Sequence, residues 1–277
     1  PPIEIDVPSQ VSMKSLRTLH LEYVTYKDDE SFCNLLSGCP NLEDLLVHRG
    51  SRNSVMNFNI VVPSLKRLSI KECTRGRNVG YVINAPSLKY LQIERIKLHK
   101  LCLLKDAPEL VEATISNVEN YKILGSLKSA KRLSLNLSPL ECPAGAIFYQ
   151  LVCLEMYTNK WKWCNLLTTM LDRSPKLQVL KLIDGFSYKD DLFGEKWKEP
   201  KRVPECLLSH LETFVWTRYD WRREEENVVA KYILRNARRL NKATFSTRPI
   251  ESKEKLEMLN EMNGLVKASN SCHLVFE

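Results

Sequence analysis

Five histidines, nine cysteines and several runs of adjacent acids are the residues of this 277-residue chain that could do chemistry. A metal centre needs three or four of them at short fixed spacings, such as C-x-x-C or two histidines within a turn. His20, His48, His99, His210 and His273 each stand alone, and no C-x-x-C occurs. General acid–base work needs carboxylates that converge in space. Asp28-Asp29-Glu30, Asp190-Asp191 and Glu224-Glu225-Glu226 are neighbours in sequence only, and they read as helix starts and solvated loops. Phosphate chemistry would show a P-loop or a G-x-G-x-x-G turn, and acyl transfer a G-x-S-x-G elbow. The nine glycines lie too far apart for any of these. The reading is of a protein that is not an enzyme, with no catalytic residue, metal site or cofactor.

The totals narrow the class further. Hydrophobic residues make up 44% and charged residues 27%, a globular balance. No apolar run approaches the roughly 20 residues of a membrane helix. The net charge of +8 comes from Lys and Arg interleaved with acids, without a basic helix or an aromatic RNA-binding signature, so neither nucleic acid nor membrane is expected as a partner. The start, PPIEIDVPSQ, is no signal peptide and looks like a cut inside a longer protein. Cys73, Cys153 and Cys206 sit where a repeat would bury a small apolar residue, which predicts reduced core thiols and a nuclear or cytoplasmic location.

Elements to position a site come from a repeat. The template L-x-x-L-x-L has its first position at Leu16, Leu42, Leu65, Leu88, Leu110, Ala130, Leu151, Leu177, Leu211 and Leu240, with intervals of 26, 23, 23, 22, 20, 21, 26, 34 and 29 residues. Most intervals fall in the leucine-rich-repeat range of roughly 20–29 residues. Cys73 and Asn159 alone occupy the Asn/Cys position of the fuller pattern. In each turn the fourth and sixth residues enter the core from a short strand, while the third, fifth and seventh face outward. The predicted fold is α/β: a leucine-rich-repeat solenoid with a curved parallel sheet and mixed strands and helices on its convex side.

The return segments differ. Phe32, Leu35, Leu36 and Cys39 form a helical stripe over 28–39, and Trp163, Leu166, Leu167 and Met170 another over 161–173. Between 50 and 150, VMNFNIVVP and VGYVINAP predict short strands. A polar stretch, GFSYKDDLFGEKWKEPKRVP, separates this part from a strand (211–217), a helix (224–237) and a strand (240–246). In that helix Val228, Val229, Tyr232, Ile233 and Ala237 share a face. A last helix, 253–266, is expected to turn Leu256, Leu259, Met262 and Val266 inward, with SCHLVFE as closing strand.

The segment KSLRTLHLEYVTYKDDESFCNLLSGCPNLEDLLV, the PSLKRLSI and APSLKYLQI repeats, and VPECLLSHLETFVWTRYDWRREEENVVAKYILRNARRLNKATF from Val203 together resemble the plant F-box/FBD/leucine-rich-repeat proteins. That resemblance divides the chain into a solenoid, 1–200, and an FBD-like C-terminal cap, 201–277. It implies a protein-interaction module, the substrate-recognition region of an F-box subunit of an SCF-type ubiquitin ligase. A Skp-type adaptor and cullin would be reached only through an F-box, which these residues do not contain. The partner-binding residues expected on the concave face are Arg67, Lys71, Tyr90, Arg132 and Tyr157, since Arg and Tyr are enriched in binding hot spots. A scaffold with no ubiquitin link and a receptor for a small anionic ligand are the alternative readings.

Overall fold

A computed structural model describes residues 4–50, 57–73, 80–96, 102–105, 107–118, 121–137, 145–158, 163–185, 197–249 and 251–277. The chain forms two compact units, Pro1–Ala146 and Ile147–Glu277. The division expected at residue 200 is one of sequence type and lies inside the second unit. Asn159, His99, Asp190-Asp191 and most of the polar stretch after Gly185 lie outside the described residues.

In chain order the first unit contains β1 (Glu4–Ile5), β2 (Thr18–Glu22), β3 (Thr25–Tyr26), α1 (Asp29–Ser37), β4 (Asp44–Arg49), β5 (Asn57–Val61), β6 (Arg67–Glu72), β7 (Gly80–Asn84), β8 (Tyr90–Glu94), β9 (Cys102–Leu104), β10 (Glu112–Ser116), a 3-10 helix (Tyr121–Ser126) and β11 (Arg132–Asn136). Strands β2, β4, β6, β8, β10 and β11 lie side by side, all parallel. A second parallel sheet, β5-β7-β9, is made by the return segments. The second unit contains β12 (Cys153–Tyr157), α2 (Trp163–Asp172), β13 (Val179–Ile183), α3 (Glu205–Ser209), β14 (Thr213–Thr217), α4 (Glu224–Asn236), β15 (Lys242–Ser246), α5 (Ser252–Asn263) and β16 (His273–Phe276). Its five strands are again parallel and adjacent in chain order. The chain is the expected α/β leucine-rich-repeat solenoid.

Most repeats use the same backbone devices. The N–H of the first leucine donates to the carbonyl three residues earlier: Leu42 to Cys39, Leu65 to Val62, Leu88 to Ala85, Leu110 to Ala107 and Leu177 to Ser174, at 3.0–3.2 Å. The second residue of each of these turns is a proline, Pro40, Pro63, Pro86, Pro108 or Pro175, whose fixed φ suits that place and which needs no N–H there. The carbonyl of the second template residue then accepts two N–H groups from the next repeat, as Glu43 does from Lys66 and Arg67. At the strand's end the chain turns away. Tyr23, Arg95, Asn117 and Arg218 take positive φ of 54–59°, and all four are eighth template residues.

Two other eighth residues, Arg49 and Glu72, stay in their strands, each 2% exposed, and pair at 2.6 Å. The Tyr81 hydroxyl donates to the same Glu72 oxygen at 2.6 Å, and the Arg49 guanidinium lies 4.6 Å from the Phe58 ring centre. Around this pair Tyr26, Phe32, Phe58 and Tyr81 pack ring against ring beneath α1. Burial pushes the hydroxyls of Tyr26 and Tyr81 up from their ordinary range, against a downward pull from Arg49.

The extra strand residue corrects one expectation. With Glu72 facing inward, the next residue must face outward, and Cys73 is exposed instead of buried. Cys153 also lies on an outward position and is half-buried, whereas Cys206 is in the core as expected. In α5 the buried stripe is Met258 and Met262, one helical turn apart. Leu256 and Val266 are 58% and 85% exposed, and Leu259 is half-buried. In α4 Val229, Tyr232, Ile233 and Ala237 are buried as expected and Val228 is half-buried. The surprise is Glu226, which the acidic run marked as solvated and which is 2% exposed.

Candidate protein-binding face

On the six-stranded sheet the fourth and sixth template residues are inward, for example Leu68 and Ile70 at 2% and 0% exposure, as the two-residue strand period requires. The opposite face carries three rows of outward side chains. Register fixes the first row as Thr18, Asp44, Arg67, Tyr90, Glu112 and Arg132, successive Cα partners across six strands. The row at the strand ends is Glu22, His48, Lys71, Glu94, Ser116 and Asn136. Three of the five expected binding residues, Arg67, Tyr90 and Arg132, therefore share one row. Lys71 lies on the same strand as Arg67. Tyr157 belongs to the second unit, where its register partner is Ile183.

This first row is organised before any partner arrives. The Arg67 guanidinium lies 5.3 Å from the Tyr90 ring centre and 3.4 Å from Asp44 Oδ2. Two nitrogens of Arg132 converge on one oxygen of Glu112, at 2.8 and 2.9 Å. Lys71 pairs with Glu94 at 3.3 Å, and Gln92 donates to the same glutamate at 3.1 Å. Exposed pairs of this kind add little stability. What they do is hold long side chains in one geometry, which lowers the ordering cost on binding. All three cations of this face have acidic partners, so it offers no row of free charge to phosphates or to an anionic ligand. Among the described residues no three His, Cys, Asp or Glu side chains group as a metal site. The face offers hydrogen bonds and the exposed rings of Tyr90 and Tyr23, the means of gripping a protein.

The second unit presents a different face. Glu155 and Lys181 are register partners, and around them Tyr157, Val179, Ile183, Val215 and Val275 are half-buried. These β-branched outward residues escaped sequence reading, although the alternation of their strands places them outward as surely as Arg67.

Comparison with known proteins shows what the chain is similar to. A family model described as FBD matches residues 199–245, and one described as Leucine Rich Repeat matches residues 15–40. Two F-box/FBD/LRR-repeat proteins of Arabidopsis thaliana are each 58% identical to the chain over 99% of its length. An FBD-associated F-box protein of the same plant is 57% identical over 99%. The chain matches the repeat and FBD portion of the plant F-box/FBD/LRR-repeat proteins. It spans 63–65% of the length of these three relatives. No solved structure matches it.

The matched FBD stretch runs from the approach to α3 through β14 and α4 to β15, and an ion network ties its turns together. Asp184, in the turn after β13, receives Arg248 at 2.7 Å and Arg223 at 3.6 Å. Arg223 also pairs with Glu226 at 2.9 Å, while the Asp220 N–H donates to the other Glu226 oxygen at 3.0 Å. Both carboxylates have side chains 3% exposed, and the arginines are half exposed. Burial pushes the Glu226 carboxyl up to about 7, against the downward pull of the Asp220 N–H and Arg223. The three-residue spacing of Arg223 and Glu226 was a readable signal for their pairing. Their meeting with Asp184 depends on register between strands and had no signal in sequence.

Proposed function

We propose that this chain is the substrate-holding region of an F-box subunit of an SCF-type E3 ubiquitin ligase, acting in the nucleus or cytoplasm or both. The observation that carries the reading is the outward row Asp44–Arg67–Tyr90–Glu112–Arg132, fixed in register and already paired, on a chain whose relatives are named F-box/FBD/LRR-repeat proteins. In this reading the chain catalyses no reaction on the protein it holds. It binds a protein on the outward face, and an F-box elsewhere in the full-length protein engages a Skp-type adaptor and, through it, cullin. Lys71 extends the grip within the first unit, and Tyr157 is a contact on the second unit's own face. The charge balance of the first unit's face favours a protein partner over nucleic acid or a small anion, because binding either of those would first break existing ion pairs.

The test is capture of a Skp-type adaptor by this chain and by the chain extended upstream to the length of its relatives. The expected result is capture by the extended protein alone. Failure of both to capture the adaptor would leave a scaffold with no ubiquitin link.

A further inference from the structure

We propose that Cys73 is a reactive thiol, with His48 as its base, that exchanges with low-molecular-weight disulfides to form a mixed disulfide on the outward face of the first unit. His48 Nε2 and Cys73 Sγ are 3.2 Å apart, within hydrogen-bond reach of a nucleophile and its base. The Cys73 N–H donates to the Arg49 carbonyl at 3.0 Å, so the strand ladder fixes the thiol beside the neighbouring strand's histidine. The imidazole is held from its other side. The Tyr23 ring centre lies 4.3 Å from that of His48, and the Tyr23 N–H donates to the His48 carbonyl at 2.8 Å. Gly50 leaves room for this ring: a Cβ there would stand 3.2 Å from Tyr23 Cδ1, closer than ordinary packing.

The remaining described cysteines stand in contrast. Burial pushes the thiols of Cys33, Cys39, Cys164, Cys206 and Cys272 up, which disfavours the thiolate that reacts. Cys153 is half-buried, and among the described cysteines Cys73 is the exposed one. Charged groups also flank the pair. Glu22 and Lys71 are the register partners of His48 on the two adjacent strands, and Lys71 is paired with Glu94 at 3.3 Å. Arg49 and Glu72 point to the opposite, buried side.

In the step itself, the Cys73 thiol proton passes to Nε2 of a neutral His48 whose hydrogen sits on Nδ1. The sulfur then attacks one sulfur of the small disulfide, an S–S bond forms to Cys73, and the original S–S bond breaks. The departing thiolate takes the proton from the imidazolium and leaves as a thiol. Cys73 is oxidised, and half of the small disulfide is reduced. A thiol without a base is only a few per cent thiolate at neutral pH. A base that takes its proton trades a larger thiolate fraction against lower nucleophilicity, for a rate gain of about fivefold.

Glutathione disulfide is the probe, with the modified positions read by peptide mass mapping after acid quench. At pH 7 Cys73 is expected to be modified first, Cys73→Ser to remove that product, and His48→Gln to slow it about fivefold, with the gap closing near pH 9–10. Earlier modification of another cysteine, or equal rates for His48→Gln and the unaltered protein at pH 7, would each overturn the proposal.

Discussion

Replacing Glu72 by Ala tests how far the first unit depends on a charge pair inside its core. Arg49 and Glu72 are each 2% exposed and 2.6 Å apart, and the Tyr81 hydroxyl shares the glutamate. Removing one partner of a buried pair strands a charge and costs roughly 3–5 kcal/mol. At the roughly 2–4 °C per kcal/mol expected of a unit of this size, that lowers its melting temperature by about 6–20 °C. Calorimetry should show the loss in one transition if the two units unfold separately, and urea titration should show the same loss in free energy. The complementary variant replaces Arg49 by Met, Glu72 by Leu and Tyr81 by Phe together. It removes the charge pair and the Tyr81 hydroxyl and is expected to cost less than Glu72→Ala alone, because no uncompensated charge is left. Glu72→Ala within about 1 kcal/mol of the parent, or a triple variant that costs more than the single, would refute the reasoning.

Other outcomes follow from named side chains. Glu226, raised by burial to about 7 from an ordinary 4.5, favours the proton in the folded state. Its contribution is therefore fully present below about pH 4.5 and is lost as pH rises through 7. Relative to Glu226→Gln, the parent should lose about 3 kcal/mol of stability between pH 4.5 and 8 in urea titrations, and a difference that does not change with pH would count against the buried carboxylate. In α5, Met258→Ala should cost about 2–5 kcal/mol, while Leu256→Ala should stay within about 0.5 kcal/mol by thermal unfolding; the reverse order would mean the helix turns the other face inward.

Much of the fold was legible because short strands between fixed turns leave little freedom. Once Leu65 is anchored by the Pro63 turn, alternation alone places Leu68 and Ile70 inside and Arg67, Ser69 and Lys71 outside. Helix α1 was equally plain, since Asp28 caps it by accepting from the Ser31 N–H at 2.8 Å and its stripe has no competitor. Helix α5 was misread because its sequence offers two stripes, one led by Leu256 and one by Met258. Helical period alone cannot choose between them, and packing does. Cys73 was misplaced because the template ends its strand a residue early, whereas Arg49 and Glu72 prolong theirs by burying a charge pair. The buried state of Glu226 was hidden for a related reason: an acidic run at a helix start suits the helix dipole whether or not one member turns inward. Of the candidate binding residues, register groups Arg67, Tyr90 and Arg132. Their ion pairs with acids some twenty residues away become visible only when the strands are laid side by side.

The most direct test of a substrate-holding face is to purify the upstream-extended protein from plant cells with the proteasome blocked, in parent form and with Arg67, Tyr90 and Arg132 all replaced by Ala. The account predicts that the triple variant melts with the parent, retains the Skp-type adaptor and loses co-purifying substrate proteins. A folded triple variant that keeps the same substrates in the same amounts would contradict it.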